Sequence, residues 1–209
     1  MKKIFTIVLW VIIGCIIVFT GFALLGFWRQ QDLKKTADAV ERINSRKITL
    51  DDVMGKNLPS PPDQTVNDST VAGIDANNNA IRDDVELEIF KRYPNSARIR
   101  AAMLQYAQAL QLELTEVFNS ETLVKVLQKR SYARSCIDQT GPEINLKSSH
   151  EEILNDMNIG DNRKKEIDNL VINIHIREKK QSDGLNYMTT YSIPSDQLDC
   201  DIKLLSLPN

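Results

Sequence analysis

The sequence predicts a mainly α-helical protein: one N-terminal membrane-spanning helix followed by a small helical bundle. Three features predict it. Residues 4–28 form an apolar run without a charge, apolar residues step by three or four through most of the stretch after Asp83, and proline, glycine and capping residues divide that stretch into segments.

The apolar run, IFTIVLWVIIGCIIVFTGFALLGFW, is interrupted only by Thr6, Gly14, Thr20, Gly21 and Gly26. As a helix it is about 37 Å long at 1.5 Å per residue, against a hydrocarbon thickness of about 30 Å. It has no polar face to turn to water, as a soluble surface helix would. Lys2 and Lys3 precede it, and Trp28 and Arg29 close it where an interfacial aromatic and a cation belong. A cleaved secretory signal has an apolar region of about 7–15 residues, so this run is too long for one. Ile12-Ile13-Gly14-Cys15 resembles a lipoprotein box, yet apolar residues follow Cys15 where a lipidated cysteine is followed by polar ones. Counted literally, the cations Arg29, Lys34, Lys35 and Arg42 favour a cytoplasmic domain. Long domains translocate largely regardless of charge. A short basic start before an apolar run has the shape of an uncleaved signal anchor. The expectation is therefore a single-pass chain in the cell membrane, N-terminus inside and domain outside.

Beyond residue 28 lie all 28 Asp and Glu and every Lys and Arg of the 26 except Lys2 and Lys3, giving that part a formal charge of −4. Mild acidity without a basic block argues against a nucleic-acid partner. Both tryptophans lie in the anchor, which leaves few aromatic rings for base stacking. The expected partners are the bilayer, through residues 4–28, and another protein.

Residues 29–54 read as a juxtamembrane stalk, with Leu33, Ala37, Val40 and Ile43 near helical spacing. Residues 55–72 (GKNLPSPPDQTVNDSTVA) hold Pro59, Pro61 and Pro62 among small polar residues and read as a linker. Residues 73–209 read as the helical domain. DDVELEIFKRY is stopped by Pro94. Asn95 or Ser96 then caps the strongest helix, whose stripe is Ile99, Met103, Tyr106, Leu110, Leu114 and Val117. A third helix runs on Leu123, Val126 and Leu127 and ends before Gly141-Pro142. Ser148 with Glu151 forms a capping-box pair for a short helix ending at Met157. Gly160-Asp161 punctuates, and a last helix uses Ile167, Leu170, Val171 and Ile174. The tail from Ser182, with Gly, Pro, Tyr and Thr, is expected to be extended.

Catalytic patterns are missing. The only histidines, His150 and His175, have no companions at zinc-ligand spacing, and there is no nucleophile elbow or glycine-rich phosphate loop. Outside the anchor the only cysteines are Cys136 and Cys200. In an oxidising compartment this pair reads as a disulfide, and otherwise as two free thiols. Asp199 and Asp201 flank Cys200 and would suppress a thiolate nucleophile.

Residues 75–86 are the informative stretch. With Asp75 as position one, Asn77, Asn79, Asp83 and Glu86 fall at three, five, nine and twelve, and Ile81 at seven offers a carbonyl. Those are the positions from which a twelve-residue loop supplies the six to eight oxygens that calcium requires. The segment GIDANNNAIRDDVELEIF resembles the EF-hand-like loops of dockerins and thrombospondin type 3 repeats. It is also similar to a GxDxNxNGxRDDVE stretch of uncharacterised bacterial surface proteins. The resemblance covers about fifteen residues and implies a calcium loop with only its outgoing helix. It departs from the pattern at position six, where Ala80 replaces glycine, and at position eight, where Arg82 replaces an apolar residue. A second reading makes Asp83 an N-cap and Glu86 the third helical residue of a capping box, with residues 75–79 a polar turn. The functional expectation is a non-enzymatic, membrane-anchored interaction or structural domain with a weak calcium loop. The alternatives are an envelope enzyme whose site is assembled from distant residues, or a cytoplasm-facing scaffold.

Overall fold

The structure, a computed structural model, describes residues 2–142, 148–192 and 200–208. Among the described residues there are eight α-helices: α1 (Lys2–Ser45), α2 (Leu50–Met54), α3 (Gln64–Asn67), α4 (Asp83–Arg92), α5 (Ala97–Glu116), α6 (Ser120–Asp138), α7 (His150–Val171) and α8 (His175–Gly184). Short 3-10 turns follow at Leu185–Tyr187 and Leu204–Ser206, and no β-strand occurs among the described residues. The chain divides into two compact units, Met1–Ala39 and Val40–Asn209.

The first unit is helical, and α1 is long and apolar enough to cross a membrane. Trp10, Phe19, Phe22, Leu25 and Trp28 are all exposed, so apolar side chains cover the helix surface. The hydroxyl of Thr20 donates back to the Ile16 carbonyl at 2.9 Å. Its polarity is thereby satisfied within the helix, as an apolar solvent demands.

The second unit is built around α5. Sixteen of its twenty residues are buried, so it is a central rod and not an amphipathic surface helix. The stripe Met103, Tyr106, Leu110 and Leu114 faces one side, while Ala101, Ala102, Ala107 and Ala109 let α2, α4, α6, α7 and α8 approach the others. Ser96 caps it, its hydroxyl accepting from Ile99 N–H at 3.1 Å. A rod buried all round has no wet face for its polar residues, and these reach the loops instead. Arg100 donates to the carbonyls of Val53, Tyr93 and Pro94, Gln108 to that of Asn79, and Gln111 to that of Ala72. These contacts satisfy carbonyls of loops and of the α2 end that burial would otherwise leave costly.

The details of α7 differ from expectation. One helix replaces the two divided at Gly160, because Gly160 is a packing residue: a Cβ there would lie 2.7 Å from Asp138 Oδ1. Its capping box is Ser149 with Glu152, one residue later than the spacing suggests. The break falls instead at residues 172–174. There Arg82 donates to the carbonyls of Leu170 and Val171, at 2.7 and 3.0 Å, and closes the end of α7.

Residues 55–72, which composition reads as a linker, contain α3 and the fully buried Asn67. Arg177, itself fully buried, explains why. Its guanidinium donates to the carbonyls of Asn67 at 2.7 Å and Val71 at 3.2 Å and pairs with Asp68 at 3.1 Å. A side chain more than a hundred residues away thus supplies the ordering that local composition lacks.

The tail begins as the end of α8 and a 3-10 turn, with residues 193–199, Asp199 among them, outside the described residues. Cys136 on α6 and Cys200 are joined in a disulfide, with their Cα atoms 5.5 Å apart. Beyond it, Leu204 is buried in the core and the Pro208 carbonyl accepts from Arg98 N–H.

Candidate calcium loop

Residues 75–82 close into a compact turn between Gly73 and α4, whose first turn carries Asp83 and Glu86. The carboxylate of Asp75 accepts from the N–H groups of Asn79 and Ala80, at 3.1 and 2.9 Å. Asn77 Oδ1 accepts from Asn79 N–H at 3.3 Å, and Asn79 Oδ1 from Ile81 N–H at 2.8 Å. Side-chain oxygens at positions one, three and five therefore all turn inward. The backbone reverses through two left-handed residues, Asn78 (φ 58°) and Ala80 (φ 62°). The second is position six, where the metal-loop pattern needs positive φ, and an alanine there costs about 1–2 kcal/mol.

The far end of the loop is buried. Ile81 is fully buried in the core, and Asp83 and Glu86 are each 1% exposed. Arg82 occupies the N-cap position of α4 without a side-chain capping hydrogen bond. Asp83 is thus the first helical residue, and its Oδ1 accepts from Ala76 N–H across the loop at 3.0 Å. The capping-box reading of Asp83 and Glu86 is absent from this geometry. Glu86 Oε2 instead accepts from Asn77 Nδ2 at 3.0 Å.

Electrostatically the loop is uncompensated. Among the described residues, no lysine, arginine or histidine forms an ion pair with Asp75, Asp83 or Glu86. Burial pushes the carboxyl groups of Asp75 and Asp83 up from the ordinary range against the N–H groups they accept from, and Asp83 raises Asp75 further. Burial likewise pushes Glu86 up to about 7, opposed by the hydrogen bond from Asn77. No group of three or more His, Cys, Asp or Glu is gathered closely enough to hold a metal ion among the described residues. The loop is drawn together by its own hydrogen bonds, and its acids stand apart.

No family model matches this chain, and no curated protein or solved structure matches it.

Several residues that hold the loop are invisible in the pattern of oxygen donors. Gly73 (φ 67°) passes beneath Arg82, and a Cβ on it would sit 2.2 Å from the Arg82 Cδ. Arg82, fully buried, pairs with Asp84 at 2.5 Å. Asn67 donates to Asp84 Oδ2 at 3.2 Å and accepts from Ile74 N–H at 3.0 Å. Gln108 on α5 holds the Asn79 carbonyl at 2.8 Å. One signal pointed to this knot: the charged residue at position eight, where a helix-flanked loop has an apolar one. His150 and His175 are both exposed, on α7 and α8, and belong to no such cluster.

Proposed function

We propose that this protein is a membrane-tethered, extracytoplasmic helical module, non-enzymatic, that acts through protein contacts and is stiffened by weak calcium binding at residues 75–86. The observation that carries this reading is the set of three carboxylates, Asp83 and Glu86 buried and Asp75 half-buried, beside inward-turned amide oxygens and with no cation ion-paired to them among the described residues. Buried charge is tolerated when it is paired or coordinates a metal. A hard cation supplies the missing charge, and oxygen donors suit calcium. Asp75, Asn77, Asn79, Asp83, Glu86 and the Ile81 carbonyl are the residues that would hold it. Uptake would exchange the Asn77–Glu86 hydrogen bond for coordination. Because Gln108, Arg82 and Asn67 tie the same loop to α5, α7 and the 55–72 segment, an ion there stiffens the module as a whole. The apolar α1 supports tethering in a bilayer.

Limited proteolysis of intact cells, with calcium or with a chelator outside, tests both parts. The reading expects residues 40–209 to be cut by external protease, with the cut near residues 75–86 slower in calcium. Protection until lysis would contradict the outward orientation, and equal cutting rates would contradict the metal.

A further inference from the structure

Between α6, the Gln105 position of α5 and the segment after α1 lies a cavity of about 410 Å³ whose lining includes Lys47, Gln105, Lys125, Gln128, Lys129 and Asp201. Lys125, Gln128, Lys129 and Tyr132 recur at three- and four-residue steps, which places them on one face of α6. Lysines at i and i+4 on a helix repel each other, and nothing about helix formation favours that pair. Lys47 adds a third cation from the segment between α1 and α2.

Among the described residues, none of the three lysines has a carboxylate oxygen within salt-bridge distance. Lys129 donates to the Arg46 carbonyl, and Lys125 lies 3.5 Å from Gln128 Oε1. Among the described residues Asp201 is the one acid lining the cavity, and its Oδ2 already accepts from Ile48 N–H at 2.9 Å. Among the described residues three cations therefore face one carboxylate across a cavity of ligand size. Burial lowers the Lys129 ammonium, Asp201 raises it, and Lys47 lowers it further, so the two lysines feel each other across the space.

We propose that this cavity is a binding site for a small soluble oxyanion carrying two or more negative charges, phosphate or carboxylate, held by Lys47, Lys125 and Lys129. Such a ligand relieves the repulsion among the lysines and accepts charge-assisted hydrogen bonds from them. Gln128 and Gln105 add neutral polar groups beside it. The site shares no residue with the calcium loop and takes a ligand of opposite charge, so it stands independently of that reading.

Calorimetric titration of the full-length chain in neutral-detergent micelles, at fixed ionic strength, tests the proposal with inorganic pyrophosphate and with citrate, and with acetate as the monovalent control. Pyrophosphate or citrate should bind one per chain and acetate should not. The tighter of the two then names the phosphate or the carboxylate class. K47Q and K125Q each leave the Lys129–Arg46 contact in place, and each should weaken binding about tenfold, the worth of one charged hydrogen bond. K91Q, at an exposed lysine of α4 paired with Glu88, should leave it unchanged. Circular dichroism of the variants should match the parent chain. Absence of binding by both polyanions at millimolar concentration would overturn the proposal, as would affinities that K47Q and K125Q do not alter.

Discussion

Asn77 donates its side-chain amide to Glu86 Oε2 at 3.0 Å, joining position three of the loop to position twelve. The carboxylate it joins is 1% exposed, and burial lifts its pKa to about 7 against the side-chain amides of Asn77 and Asn79.

The pH dependence follows from the sign of that shift. An acid raised from 4.5 in the unfolded chain to about 7 in the folded one holds its proton better when folded. Stability is therefore lost as pH rises from about 4.5 through about 7, by at most roughly 3 kcal/mol. The raised acids Asp75 and Asp83 slope the same way. In chelator, the denaturation midpoint should be higher at pH 5.5 than at pH 8. Glu86→Gln should flatten the slope and exceed the parent chain at pH 8. Equal slopes in parent and variant would show that Glu86 does not titrate in this window.

Gly73 is required twice over, by its left-handed φ of 67° and by the Arg82 side chain lying across it. Gly73→Ala should cost at least about 2 kcal/mol, from backbone strain and from displacing a buried guanidinium. The readout is a lower urea midpoint at unchanged m-value. An unmoved midpoint would mean that Arg82 can leave the end of α7 without penalty.

The disulfide closes a loop of sequence separation 64 and fastens the segment that carries Leu204 into the core. In the chain-entropy account its loss is worth about 4 kcal/mol. Reductant should lower the unfolding midpoint of the parent chain and leave a Cys136→Ala/Cys200→Ala variant unaffected. A parent chain indifferent to reductant would contradict a stabilising bond.

The elements were legible where local periodicity governs them. The charge-free run, the α5 stripe and the proline stop at Pro94 each follow from one segment's own residues. What the sequence does not display is what distant side chains do. Residues 55–72 look too polar to order themselves, and they are ordered by Arg177, which donates to the Asn67 and Val71 carbonyls. Gly160 reads as a helix stop, yet it sits within α7 because Asp138 approaches it. For the loop, the spacing of oxygen residues is visible in sequence. The depth at which Glu86 is buried, and the absence of an ion-paired cation near it among the described residues, required the fold.

The most direct test of the central claim is calcium titration of the full-length chain beside Asp75→Asn, which removes the charge and keeps one of the two oxygens that accept from the Asn79 and Ala80 N–H groups. Calcium should bind one per chain, with Kd on the order of 10⁻⁴–10⁻³ M, because positions three and five are neutral and position six is strained. It should raise the parent's melting temperature by mass action, with magnesium doing less, and should leave Asp75→Asn unmoved. No heat at millimolar calcium, with parent and variant melting alike in calcium and in chelator, would contradict a calcium loop at residues 75–86.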